Sequence, residues 1–102
     1  MNKINGSDVH KLVVACDAGM GSSVMLASTL RKQLKKQGVT VEHTPVNSIP
    51  SDADVVLCQA GLAERARKTV PGKVVVPFNM FLGDPIVTKV IKAIQAGDTI
   101  EG

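Results

Sequence analysis

Four short apolar runs constrain this chain more than any other feature. Lys11 to Cys16 (KLVVAC), Val39 to His43 (VTVEH), Asp54 to Cys58 (DVVLC) and Lys73 to Pro77 (KVVVP) are five or six residues long and rich in valine. That length and composition mark strands, because a helix needs a longer periodic segment to bury one face. VTVEH alternates; the other three do not, so the sheet they build must be covered on both faces.

The intervening segments supply the cover. From Ser22, a helix places Ala27, Leu30 and Leu34 on one face, with Arg31, Lys32, Lys35 and Lys36 largely off it, until Gly38 stops it. Leu62 to Val70 reads as a short charged helix closed by Pro71-Gly72. Asp84-Pro85 is a cap followed by a first-turn proline, opening a helix lined by Ile86, Val87, Val90, Ile91 and Ile94 and ended by Gly97. The order β-α-β-β-α-β-α predicts an α/β three-layer sandwich around a four-stranded parallel sheet. The second and third strands cannot be parallel neighbours through the nine-residue link PVNSIPSDA. The link must cross the first strand, giving the order 2-1-3-4 of flavodoxin-like folds.

A length of 102 residues suits one domain, 1–102, with residues 1 to 10 expected to be a loose polar leader. Phe78 and Phe81 are the only aromatics, so the core is aliphatic and stacking platforms for single-stranded nucleic acid are missing. The net charge of +3 fits an ordinary solvated surface. Two cysteines make no disulfide framework, no apolar run approaches the roughly 20 residues of a membrane helix, and the N-terminus lacks a signal-peptide pattern. The expectation is a cytoplasmic protein with reduced thiols, meeting a membrane only through a partner.

Ligands of open α/β sheets bind beyond the carboxyl ends of the strands, where the strand order reverses. Here that place is the end of the first strand, at Cys16. The residues that follow, Asp17, Ala18, Gly19, Met20, Gly21, Ser22 and Ser23, have the chemistry of an anion loop. Gly19 and Gly21 let backbone N–H groups turn inward, the two serines add hydroxyls, and the helix amino end adds partial positive charge. The same field favours thiolate over thiol at Cys16. A thiolate among phosphate donors points to a phosphocysteine. Asp17 either turns outward or makes the phosphoryl group easier to release.

Other readings of the loop fit less well. Cys16 as a buried small hydrophobe leaves the loop unexplained. Gly19-Met20-Gly21-Ser22-Ser23-Val24, with Glu42 downstream, lacks the third glycine of a dinucleotide fingerprint, and no GxxxxGK[ST] occurs. A low-molecular-weight tyrosine-phosphatase-like hydrolase needs C-x5-R-[ST], and Ser22 stands where the arginine would clamp the phosphoryl group. A loop that binds phosphate without that arginine suits a carrier more than a hydrolase.

VACDAGMGSS resembles the phosphocysteine loop of IIB components of the bacterial phosphoenolpyruvate-dependent sugar phosphotransferase system (PTS), mannitol type. LRKQL, DADVV and LAERA extend the resemblance over most of residues 11 to 70. It implies that Cys16 accepts a phosphoryl group from a phosphohistidine of a IIA protein. Cys16 then passes it to a sugar held by the membrane component IIC, with Asp17 to Ser23 binding the phosphate and no metal or nucleotide required. It implies a cytoplasmic domain peripheral to the inner membrane through IIC. Mannitol-type relatives tend to carry a Thr-His-Arg-Asp-like stretch where this chain has Leu57-Cys58-Gln59-Ala60-Gly61, which leaves mannitol, another hexitol and ascorbate-like acids open. A regulatory module, phosphorylated at Cys16 to alter partner binding, is the remaining alternative.

Cys58 is expected to be a buried small residue, with a redox pair to Cys16 or assistance of the transfer as the competing roles. His10 and His43 read as surface residues, and no metal-ligand cluster occurs. Arg31, Lys32, Lys35, Lys36, Arg65, Arg67 and Lys68 read as solvated faces that can also meet an acidic IIA surface or anionic lipid. Met20 is better placed than Met25 for an exposed docking contact. Phe78, Met80, Phe81 and Leu82 either close the core under the last helix or form a docking rim.

Overall fold

Valine-rich runs become strands because branched side chains pack well on a pleated surface and lose little rotamer freedom there. In the computed structural model, which describes residues 2–16, 21–79 and 84–101 (21–23 as backbone only), six strands and three α-helices follow from such local preferences. They are β1 (Lys3–Asn5), β2 (Lys11–Cys16), α1 (Gly21–Gln33), β3 (Thr40–Pro45), β4 (Val55–Gln59), α2 (Ala63–Thr69), β5 (Val74–Phe78), α3 (Pro85–Ala96) and β6 (Thr99–Glu101).

The central sheet is parallel throughout, with β3 and β4 flanking β2 and β5 outside β4. Helices α1 and α3 cover one face. Leu12, Val14, Val55, Leu57 and Val76 pack there against Leu26, Leu30 and Leu34 of the first helical segment and Val87, Val90 and Ile94 of α3. On the other face, Val13, Ala15, Val56, Cys58 and Val75 meet α2 and the link after β3 through Ala63, Ala66, Val46 and Ile49. Complete burial of Leu30 and of Leu34 is worth roughly 2 kcal/mol each.

Helix ends follow their local chemistry. Asp84 caps α3: its Oδ1 accepts from the Ile86 N–H at 2.9 Å, and Pro85 occupies the first turn. Gly97 closes α3 at φ 78°, and Gly38 closes the 3-10 turn after α1 at φ 70°, both in the left-handed region where glycine carries no Cβ penalty.

Residues 2 to 10 depart from the loose leader expected of 1 to 10. Lys3–Asn5 pairs antiparallel with Thr99–Glu101 in a two-stranded ribbon separate from the main sheet. Gly6 donates its N–H to the Asp98 carbonyl at 2.7 Å, beside the end of α3. Phe78 is fully buried in the core under α3, so it is not part of an exposed rim; Met80, Phe81 and Leu82 lie outside the described residues.

Candidate functional site

The two ends of the central sheet differ in chemistry. At the amino edge, Asp54 Oδ2 accepts from the N–H groups of His10 (2.8 Å) and Lys11 (3.0 Å), joining the starts of β2 and β4. Lys11 Nζ reaches Asp52 (3.1 Å) and Glu42 (3.4 Å). Its ammonium is held above the usual lysine value, chiefly by the hydrogen bond to Asp52. These charges are satisfied by one another. The carboxyl edge has no such network among the described residues. There Cys16 ends β2, level with Pro45 on β3 and one residue beyond the Ala15–Cys58 pair, so Gln59 lies beside it on β4 and Phe78 beyond on β5.

Chain direction fixes what else collects at that edge. A helix that follows a parallel strand starts at the strand's carboxyl end, so α1 and α3 both present their amino ends here. Asp84 strengthens the arrangement, since its Oδ2 also accepts from the Asn79 N–H at 2.7 Å and so ties the exit of β5 to the cap of α3. The first N–H groups of any helix lack intrahelical acceptors and carry partial positive charge. Gly21, Ser22 and Ser23 form the first turn of α1, five residues after Cys16. Asp17, Ala18, Gly19 and Met20 lie outside the described residues.

Cys16 is buried, with 7% of its surface exposed, and is a free thiol. Its Sγ donates to the Thr44 carbonyl on β3 at 3.7 Å. Sequence reasoning missed Thr44, which the register of the sheet sets beside Ala15. The Thr44 hydroxyl is buried and finds no hydrogen-bond partner among the described residues. An unpaired buried hydroxyl costs free energy that an isosteric methyl does not. Thr44→Val is therefore expected to stabilise the fold by about 1 kcal/mol, read as a higher urea midpoint at unchanged slope; a lower midpoint would reveal that the hydroxyl has a partner after all.

Cys58 cannot pair with Cys16. Ala15 and Cys58 are in register and share one face, so Cys16, the next residue on β2, belongs to the opposite face. A disulfide would require one strand to turn over. Cys58 is fully buried, and burial pushes its thiol up to about 11 from 9.0, with Arg67 partly opposing. The unfolded chain releases this proton near 9.0 and the folded chain only near 11. The linked stability is complete below pH 9 and is lost as pH rises towards 11. Native protein is expected to leave Cys58 unalkylated by iodoacetamide at neutral pH and to expose it only on unfolding, which peptide mapping reads directly.

Gln59 at the end of β4, and Ala60 and Gly61 just past it, are exposed on the Cys16 edge, while Leu57 and Cys58 are interior. The substituted part of this stretch therefore reaches solvent in its last three residues only. Val24 and Met25, near the start of α1, are exposed by 43% and 59%, so Met25 is available for contact; Met20 lies outside the described residues. His10 and His43 are exposed, and the described residues hold no cluster of metal-ligating side chains.

A thiol at the carboxyl end of the central strand, followed by a helix start, is the placement expected of a covalent phosphate acceptor. Residues 11–93 match the family described as "PTS system, Lactose/Cellobiose specific IIB subunit". The chain belongs to the PTS IIB family. This IIB chain is 36% identical over 96 residues to a mannitol-specific EIICB component of Bacillus subtilis, covering 92% of the chain and 20% of that protein. The corresponding protein of Staphylococcus saprophyticus is 46% identical over 82 residues, covering 78% and 16%. The chain thus spans about a fifth of the length of these relatives. The lactose-specific IIB domain structure from Streptococcus pneumoniae superposes with a TM-score of 0.55 at 20% identity, over 87% of this chain and 94% of that one. It shares the mixed α/β architecture with a parallel sheet. No helix among the described residues is long and apolar enough to cross a membrane.

Proposed function

We propose that this IIB chain is a phosphocarrier that takes a phosphoryl group on Cys16 from a phosphohistidine of a IIA protein and gives it to a sugar alcohol, mannitol first among candidates, bound by a membrane IIC component. The observation that carries the reading is the family match spanning a free cysteine at the carboxyl edge of the central strand. The naming of 36–46% identical relatives as mannitol-specific supports the sugar.

In the first transfer, the Cys16 thiolate attacks phosphorus in line. The S–P bond forms as the P–N bond breaks, and the electron pair stays on the imidazole nitrogen. In the second, a sugar hydroxyl oxygen attacks the same phosphorus, its proton passing to a base of the sugar-binding partner, and sulfur leaves as thiolate. Asp17, Ala18, Gly19, Met20, Gly21, Ser22 and Ser23 form the phosphate-binding loop in this reading. Their backbone N–H groups and two hydroxyls stabilise charge spread over the equatorial oxygens. Both partners act where the cytoplasm meets the inner membrane, so the domain works as a cytoplasmic unit peripheral to the membrane through IIC.

The test is reconstitution with the general phosphotransferase proteins, a matching IIA and labelled phosphoenolpyruvate. Label should arrive on Cys16 and, with a mannitol-type IIC present, move on to the sugar. Steady release of inorganic phosphate or turnover of p-nitrophenyl phosphate would instead mark a hydrolase. Labelled Cys16 that yields no sugar phosphate with competent IIA and IIC would mark a regulatory module.

A further inference from the structure

The charge of this molecule is divided between its layers. Helices α1 and α3 lie side by side on one face of the sheet, joined at their ends by a hydrogen bond from Gln95 Nε2 to the Gln33 carbonyl at 3.1 Å. Their outer surface, with the 3-10 turn Lys35–Gln37, carries Arg31, Lys32, Lys35, Lys36, Lys89 and Lys92, all exposed. No carboxylate occurs in 21–38 or 85–97. These are half of the twelve cations; the other six share the rest of the molecule with nine carboxylates, leaving that part net −3. None of the six makes an ion pair among the described residues, whereas Lys3, Lys11 and Lys68 do so elsewhere.

A solvated face needs no partner, and helix carbonyl ends attract cations. The dipole accounts for Arg31 and Lys32 in the last turn of α1. It does not account for Lys89 and Lys92, since the last turn of α3 holds no basic residue. A second observation narrows the partner. Val24 and Met25 are the large apolar side chains exposed among the described residues, and both belong to this same layer. Helical spacing puts Val24, Ser28, Arg31 and Lys35 on one outward stripe and Met25, Thr29, Lys32 and Lys36 on the next. Exposed apolar side chains and cations without ion pairs thus share one surface with no acid between them, a combination that suits contact with anionic lipid headgroups.

We propose that the α1–α3 layer is an interfacial surface that rests on an anionic lipid bilayer. Long lysine side chains reach the headgroups while Met25 and Val24 press into the acyl boundary. The inference stands apart from the phosphoryl-transfer reading, because it uses neither Cys16 nor its loop. A flat sheet of diffuse negative charge asks for no shape complement, which suits two parallel helices packed side by side better than a groove-seeking element does.

Co-sedimentation with vesicles of phosphatidylglycerol and phosphatidylcholine, against phosphatidylcholine alone, tests it. Binding is expected to the anionic vesicles at low salt and to fade as salt screens the charges. Each cation removed should weaken partitioning by about five-fold. The variant Lys32→Gln, Lys35→Gln, Lys36→Gln, Lys92→Gln, whose side chains make no ion pair among the described residues, should thus lose at least ~100-fold. Met25→Ser should weaken binding several-fold without changing its salt dependence. Cys16→Ser should bind as wild type does, so that a failure of phosphoryl transfer and a failure of membrane contact remain distinguishable. Equal binding to both vesicle types, or no loss in the four-lysine variant, overturns the proposal. It is equally overturned if the four-lysine variant slows phosphoryl acceptance from a dissolved donor protein while wild type ignores vesicles; the face would then belong to an acidic protein.

Discussion

Cys16→Ser is expected to abolish phosphoryl acceptance while leaving the fold in place. A thiol reaches its nucleophilic anion far more readily than a serine hydroxyl does, and the thiolate is intrinsically the better nucleophile. A helix amino end cannot bring an unassisted alcohol to alkoxide near neutral pH. A serine that did react would form a phosphate ester, which gives up its phosphoryl group reluctantly, so onward transfer to the sugar would also stop. A loss of at least ~1,000-fold in the labelling rate is expected, equivalent to about 4 kcal/mol of activation free energy. The control lies in the structure: a serine hydroxyl can donate to the Thr44 carbonyl in place of Sγ. The site is nearly closed to solvent and the change in volume is small, so the urea midpoint should move little. A serine variant labelled as fast as wild type would remove Cys16 from the reaction. Lost labelling together with a collapsed midpoint would show instead that the thiol was structural.

Legibility of this fold tracks how local the decisive chemistry is. The four sheet strands were readable because each contains its own signal, a short unalternating valine-rich run in three of them and the alternating VTVEH in the fourth. The cap at Asp84, the first-turn Pro85 and the closing Gly97 were readable because each acts within a few residues of itself. The ribbon of Lys3–Asn5 with Thr99–Glu101 was not. Each strand is three residues long, neither shows a pattern on its own, and the two lie at opposite ends of the chain. Only tertiary packing of Ile4 and Ile100 against the core selects the pairing. At the site, the strand end at Cys16 could be seen in the sequence, but the neighbours of the sulfur could not. The Thr44 carbonyl and the opposed faces of Cys16 and Cys58 are consequences of register, and register is fixed by the whole sheet.

Gly6 tests how firmly that unforeseen ribbon is bound to the rest. It is buried and packs so closely on α3 that an added Cβ would lie 2.0 Å from the Ala93 carbonyl oxygen, 2.6 Å from its carbon and 2.7 Å from the Ile94 Cα. All three are backbone atoms in the last turns of a helix, so no rotamer change relieves the clash. Either α3 shifts, disturbing Val90 and Ile94 in the core, or the segment lifts off and breaks the 2.7 Å bond from Gly6 N–H to the Asp98 carbonyl. Gly6→Ala is therefore expected to cost about 3 kcal/mol, at the upper end of overpacking effects. For a domain of this size that lowers the melting temperature by roughly 15 °C. Amide exchange distinguishes the two responses: accelerated exchange confined to residues 3–6 and 98–101 means the ribbon detaches, while acceleration spreading along α3 means the core yields. The same clash makes a prediction about coupling. If the ribbon detaches without disturbing the sheet, labelling of Cys16 at the far end of α1 should continue at the wild-type rate well below the lowered melting temperature. An unchanged melting temperature would mean that the close approach of Gly6 to α3 does not exist in solution.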